Sequence, residues 1–368
     1  MDPFARTIIG ASLAETRLGQ SSPFARLTLI LGANAPDLDA VTMLINRDLS
    51  LWFRRGWTHG VLALAVLPLL LTGLICLLDR WIAHLRNERP RVRPGPLLTL
   101  SYIAVLSHLA LDWLNTYGVR FLMPFDERWF YGDALFIIDP WVWLLGGLAV
   151  VTAHSKSTRS ITAWLIVGTV LTGLITIVGS LRPTPLLLWL GGMATIASAR
   201  AHGISRSQTR RLANVCLVCM LVYILAMVAS SRVATQQVAA WLTNRGSTFV
   251  DIMAGPVPAN PFVRDVIVVD AHHYHFLEVN WLRDDPIQVS EASIDRGSRN
   301  TVVQAALAAP QIKGLQTWMR FPAFDVEELD DGHRVTIRDI RYARRRGSGF
   351  STTSIELDSN LLPRIHHR

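Results

Sequence analysis

A mainly α membrane helix bundle of about six transmembrane spans, entered through an N-terminal helical hairpin and followed by a C-terminal β-rich soluble domain, is the fold this sequence predicts. Three observations predict it. The 368 residues are 50% hydrophobic and only 17% charged, with a mean hydropathy of +0.30, which is too apolar for a disordered chain or an ordinary soluble domain. Most of the apolar residues before position 230 fall into long runs, whereas residues 231–368 mix charged and apolar positions. The runs are also long enough, with few charges, to cross a hydrocarbon core. The chain therefore divides into a membrane-embedded part, 1–230, and a periplasmic β-rich part, 231–368.

The N-terminus, MDPFARTIIGASLAE, carries an acidic residue at position 2 and no sustained apolar core. It does not read as a cleavable signal peptide. Two short helix-like segments, 4–18 and 24–33, are broken by Ser21-Ser22-Pro23 and form a re-entrant or partly buried hairpin that returns the chain to the side where it began. Six spans follow, at 61–78, 97–114, 135–153, 161–180, 184–199 and 213–230. Arginine and lysine set their direction. Loop 79–96 holds Arg80, Arg86, Arg89, Arg91 and Arg93, loop 154–160 holds Lys156 and Arg159, and loop 200–212 holds Arg200, Arg206, Arg210 and Arg211. These loops face the cytoplasm. Residues 34–60, loop 115–134, the turn at Arg182-Pro183 and everything after 230 then lie on the opposite face, which in a bacterium is the periplasm. In the tail, 265–270, 273–279, 333–340 and 350–357 alternate as strands do, and 300–308 suits a helix.

A formal net charge of +8 does not point to nucleic acid, because the arginines sit mainly in short loops between apolar segments, where topology demands them. Cys76, Cys216 and Cys219 all lie within apolar segments, so a disulfide framework is not expected. Trp52, Trp57, Trp129 and Trp141 fall near the expected interfaces and read as headgroup anchors.

Ionisable groups at membrane depth are costly, so their position is informative. Asp37, Asp39, His59, His108, Asp112, Asp133 and Asp139 all fall at one end of their spans, on the expected outer face. His108 and Asp112 are four residues apart on one helix and project to the same side. Asp37 and Asp39 follow a Pro-punctuated turn that can aim both carboxylates at a common point. Imidazole nitrogens with carboxylate oxygens suit zinc, or manganese and iron where carboxylates dominate, and a metal-bound water supplies a hydroxide nucleophile. The plainer reading is that Asp139 before Pro140 is a helix cap and that His108 with Asp112 is a helix-stabilising pair. His272-His273-Tyr274-His275 resembles a metal cluster, but on a strand only His273 and His275 share a face, so exposed strand residues are the better expectation. Arg344-Arg345-Arg346 reads as a solvated turn.

MDPFARTIIGASLAE, GANAPDLD, RGWTHG, SHLALDWLNTYGVRFLMPFDERWFYGDALFIIDPW and PVPANPFVRDVIVVD together resemble a YdjM-like family of bacterial inner-membrane, metal-dependent hydrolases. The resemblance implies a metal site of His and Asp, distantly similar to that of zinc-dependent phospholipase C. It implies metal ligands at Asp37, Asp39, His59, His108 and Asp112; beside these, catalytic roles are expected of Asp37, His59 and Asp133, and substrate binding of Arg6 and Arg120. The family typically opens MDxxTH, and here Arg6 stands in place of that histidine; a guanidinium cannot ligate a metal. Arg6 either binds a substrate phosphate or pairs with Asp37 or Asp39. The function expected is hydrolysis of an ester or phosphoester of a membrane lipid or lipid-linked substrate. The alternatives are a non-catalytic scaffold in which the Asp/His cluster is structural, and a proton-coupled transporter. Against the transporter, the ionisable residues stay at one edge and no repeated half is evident.

Overall fold

The computed structural model describes residues 1–178, 184–203, 205–344 and 349–364. The expected turn at Arg182-Pro183, and Arg345 and Arg346, lie outside the described residues. The chain forms two compact units: residues 1–38, 57–231 and 256–261 make one, and residues 39–56, 232–255 and 262–368 the other.

The first unit is helical. It opens with α1 (Pro3–Glu15), whose start is written in the sequence: Asp2 caps it by accepting the Ala5 N–H at 2.9 Å, and Pro3 occupies the first turn, where its missing N–H costs nothing. The chain turns through a 3₁₀ segment, Leu18–Gln20, into α2 (Ala25–Gly32), so the expected hairpin forms. After α3 (Arg47–Phe53), which belongs to the second unit, come α4 (Val61–Leu85) and α5 (Pro94–Trp113). Asp79 of α4 is buried and accepts the backbone N–H groups of Arg91 and Val92, both at 2.8 Å, pinning the arginine-rich connection to the helix before it. Then follow α6 (Pro140–His154), α7 (Thr158–Val178), α8 (Thr184–His202) and α9 (Arg206–Thr243). Asp139 caps α6 as the Asp-Pro pair suggests, accepting the N–H groups of Trp141 and Val142, and it also accepts the Tyr223 hydroxyl at 2.6 Å.

Four of these helices are long and apolar enough to cross a membrane: Val61–Leu85, Pro94–Trp113, Thr158–Ile177 and Arg206–Thr243. The stretch expected to span at 135–153 begins its helix only at Pro140 and yields 15 residues, which is short for a crossing. The run at 184–199 lies in α8, whose 19 residues end in Ala-Ser-Ala-Arg-Ala-His. The described helices therefore support four of the six spans. Among the four, α5 is the most enclosed, with 44% of its apolar window buried against 17% for α7; α5 is accordingly the helix that can carry charged groups away from lipid.

Two cores organise the unit. Leu29 of α2, Ile75 of α4 and Leu97, Leu100 and Ala104 of α5 form one; Ala5 and Ile9 of α1, Val142 and Trp143 of α6, Trp189 of α8 and Met220 and Met227 of α9 form the other. Close approach depends on glycine. A Cβ on Gly10 would lie 2.7 Å from the Leu29 carbonyl oxygen, and one on Gly32 would lie 2.6 Å from Ala104 Cβ, so α1, α2 and α5 meet backbone to backbone.

The second unit is built on β-strands, as expected of the tail. Strands β1 (Asp251–Val257), β2 (Asn260–Val269), β3 (His273–Asn280) and β4 (Ile287–Asp295) form a four-stranded sheet in sequential order. After α10 (Thr301–Leu307), capped by Asn300, and α11 (Lys313–Trp318), β5 (Pro322–Leu329), β6 (Gly332–Asp339) and β7 (Thr352–Asp358) form a second, three-stranded sheet. Ala234 and Val238, from the end of α9, share a core with Val266, Val268, Leu277 and Val279. The Asp48 carboxylate accepts the Gly314 and Leu315 N–H groups at 2.8 and 2.9 Å, fixing α3 to α11.

Gly10→Val should separate α1 from α2 at a cost of about 1–3 kcal/mol, the usual penalty of overpacking. It should lower the thermal midpoint of the purified protein in detergent, whereas Gly73→Ala, where an added Cβ meets nothing within 4 Å, should not.

Candidate metal centre

His108 and Asp112 are both fully buried on α5, and their spacing brings both to one side. His59 reaches them from the turn preceding α4, and the α1–α2 hairpin carries Asp37 back to the level of Arg6. Among the described residues, the one group of His, Cys, Asp and Glu side chains able to hold a metal ion is Asp37, His59, His108 and Asp112, with one donor atom from each lying within 4.8 Å of the others. The His59 and His108 Nε2 atoms are 3.1 Å apart. Asp112 Oδ2 lies 3.2 Å from His59 Nε2 and 3.5 Å from His108 Nε2, and Asp37 Oδ1 lies 3.8 Å from His108 Nε2.

The donor chemistry fits a cation. His108 Nδ1 lies 2.8 Å from the Ala33 carbonyl oxygen, which only accepts, so Nδ1 carries the proton and Nε2 offers a lone pair. His59 Nδ1 lies 2.9 Å from the Thr58 hydroxyl; in the tautomer whose Nδ1–H is given to Thr58, its Nε2 is likewise a lone pair. Two imidazole lone pairs and two carboxylate oxygens then face one point. Around a tetrahedral zinc with ligands at about 2.0–2.2 Å, neighbouring ligand atoms stand roughly 3.3–3.6 Å apart. The four measured separations bracket that spacing. Thr58 and the Ala33 carbonyl are the orienting partners that such ligands require; Thr58 is legible beside His59, but no sequence signal marks a backbone carbonyl.

Arg6 does not take the place of a ligand. It is 1% exposed and pairs with Oδ2 of Asp37 and, at 2.5 Å, with Oδ1 of Asp112. The Met1 amino group also reaches Asp112 Oδ1, at 2.7 Å. Each carboxylate thus gives one oxygen to a cation and turns the other toward the histidines. The expected pairing of Arg6 with Asp37 forms; the second partner is Asp112.

Other expected site residues stand elsewhere. Asp39 is not one of the four: its carboxylate accepts the Arg55 N–H at 3.0 Å and lies 3.8 Å from Arg54 Nε. The turn holding Asp37 and Asp39 is a 3₁₀ helix, Ala35–Leu44. With about three residues per turn, positions two apart point in different directions, so the two carboxylates do not aim at a common point. Asp133 also lies outside the group. Its neighbours Gly132 and Ala134 give their N–H groups to the Trp113 and Leu114 carbonyls at the end of α5, and its φ is 48°. Arg120 is fully buried, with its guanidinium 5.0 Å from the Trp129 ring.

In the tail, His275 Nε2 donates to Asp270 Oδ2 at 2.7 Å, and His273 Nδ1 is 4.0 Å from Asp270 Oδ1. These residues are exposed or half-buried, as expected for a strand. Burial works against ionising Asp270, but the hydrogen bonds from His275 and from the His273 and His272 amides outweigh it and hold the carboxyl below its ordinary 3.8. This turn's stabilisation is complete above the ordinary value and is lost as pH falls toward the depressed one.

Asp112→Asn removes a charge that Arg6 and Met1 both use. It should lower divalent-metal affinity by at least about tenfold and destabilise the helical unit by about 3–5 kcal/mol, the cost of breaking a buried pair. Asp39→Asn should leave metal content unchanged; equilibrium dialysis against zinc checks both.

Residues 1–182 match the model of the YdjM inner membrane protein family, a stretch that contains all four residues of the centre. A Bacillus subtilis (strain 168) protein, "Uncharacterized protein YfhP", is 23% identical over 136 residues, which cover 37% of this chain and 38% of that protein. The similarity therefore spans well under half of the relative's length. No solved structure matches the chain. With its long apolar helices, this is a membrane protein, and its residues 1–182, just under half of the chain, are similar to the YdjM inner membrane protein family.

Proposed function

We propose that this chain is a membrane-bound, metal-dependent hydrolase acting on an ester or phosphoester of a lipid-linked substrate. The observation that carries the reading is the convergence of Asp37, His59, His108 and Asp112, whose donor atoms all lie within 4.8 Å of one another. A divalent ion held there, zinc or alternatively manganese or iron, supplies a bound water whose pKa falls toward neutrality.

The chain's own residues do the rest. Arg6 fixes the outer oxygens of Asp37 and Asp112, so the inner oxygens stay aimed at the histidines without reorganising. Asp37 and His59 serve as ligands, His59 with one nitrogen on Thr58 and one at the centre and Asp37 with one oxygen on Arg6 and one at the centre; the proton transfer at the leaving group is left to Asp133. Once a divalent ion is present, the ion and Arg6 outweigh the two carboxylates in charge. An anionic oxygen of the substrate balances that excess, which favours phosphoesters, and Arg120 adds a second buried cation for its recognition. A specific observation favours one rival: Arg6 and the Met1 amino group together already balance both carboxylates, as a purely structural charge cluster would require.

Purified protein reconstituted with zinc distinguishes the two. We expect close to one bound ion per chain by elemental analysis and hydrolysis of a chromogenic phosphodiester that falls at least about 100-fold in His108→Ala. A folded protein that takes up no ion and hydrolyses neither phosphodiester nor carboxylester would establish the structural cluster instead.

We further propose that the loops carrying Arg86, Lys156 and Arg206 face the cytoplasm, that α6 and α8 complete six crossings, and that the centre and residues 231–368 face the periplasm. In a background with Cys76, Cys216 and Cys219 changed to alanine, Ser354→Cys should react with an impermeant thiol reagent once the outer membrane is permeabilised. Reaction only after the inner membrane is lysed would reverse the topology.

A further inference from the structure

Between α6, α7 and α8 the helical unit contains an apolar cavity of about 250 Å³, unrelated to the metal centre. Trp143, Trp164, Leu171 and Trp189 are among its lining residues, and polar groups enter it at Ser155 and Arg200. Ser155 is 3% exposed, and its hydroxyl oxygen has no hydrogen-bond partner among the described residues. Arg200 gives its Nε–H to the Ser155 carbonyl at 2.6 Å; among the described residues its Nη groups meet no acceptor. A buried hydroxyl without a partner beside a guanidinium with donors to spare is costly protein chemistry and well suited to an anion. Along α6 the lining runs from Trp143 to Ser155, a rise of about 18 Å, so the apolar part is elongated and its polar end lies at the C-terminus of the helix.

We propose that this cavity is a lipid site, holding one acyl chain of an anionic phospholipid whose phosphate is bound by the Arg200 Nη groups and the Ser155 hydroxyl. An acyl chain fills an elongated apolar space that no side chain fills. A phosphate accepts from two parallel guanidinium N–H groups and from a hydroxyl together. The exposed cation Lys156 next to Ser155 adds a field that favours a net-negative headgroup over a zwitterionic one. The site is independent of any hydrolytic activity.

The test titrates full-length protein in detergent with phosphatidylglycerol and with phosphatidylcholine of the same acyl chains, counting bound lipid by native mass spectrometry. One phosphatidylglycerol should bind per chain, at least roughly tenfold more tightly than phosphatidylcholine, as expected for a charge-assisted phosphate contact. Arg200→Gln should abolish the preference, Ser155→Ala should reduce it, and Ala197→Phe, which fills the cavity, should weaken both lipids. Arg159→Gln, on an exposed surface, should keep the preference, and the thermal midpoint of each variant verifies its fold. Equal affinity for the two lipids in the unmodified protein would show an unselective apolar void and overturn the proposal. So would a preference that survives Arg200→Gln, or one that is lost only in Arg159→Gln.

Discussion

Asp37 and Asp112 come from different parts of the chain, and each is paired with the same buried guanidinium, Arg6. The helical unit is arranged around that shared neutralisation. A lone carboxylate at this depth would be strongly unfavourable, and so would a lone guanidinium; together they oblige α1, the turn after α2, and α5 to meet. The glycine contacts serve the same end. Gly10 lets α1 lie directly on α2, and Gly32 lets α2 lie directly on α5, which keeps Arg6 within reach of both acids. The histidines then occupy the side of the carboxylates that Arg6 leaves open.

Arg6 thereby acquires a meaning that differs from simple loss of a ligand. A guanidinium cannot bind a metal, but here it binds the far oxygens of two residues that can. It orients them and offsets their charge, so the His59 and His108 nitrogens approach two carboxylates whose mutual repulsion is already relieved. The same arrangement explains why Asp112 is so heavily engaged: Met1, Arg6, His59 and His108 all reach it.

Much of the centre was legible in the sequence because polar residues in an apolar chain are conspicuous. His108 and Asp112 at a spacing of four on a helix had to share a face, and His59 stood at the entrance to the most apolar run. Asp39 was not separable from Asp37 by residue type; only the 3₁₀ winding of 35–44, for which the sequence carries no strong period, parts them. The length of α6 was over-read because Ala134, Leu135, Phe136, Ile137 and Ile138 look like helix yet precede the Asp139-Pro140 cap. In the tail, the alternating strands at β2, β3, β6 and β7 were readable. β1 contains Gly255-Pro256, which reads as a turn, β5 starts at a proline and runs into Glu327 and Glu328, and β4 exposes most of its length, so none of the three shows the alternation of a half-buried strand.

The central claim is that two imidazoles and two carboxylates bind one ion together, and X-ray absorption at the metal edge of the zinc-reconstituted protein tests it most directly. The account predicts nitrogen and oxygen neighbours at about 2.0–2.1 Å, with the multiple-scattering signature of two imidazoles, lost in a His59→Gln, His108→Gln double variant. A metal environment without imidazole, or one unchanged in that variant, would contradict it.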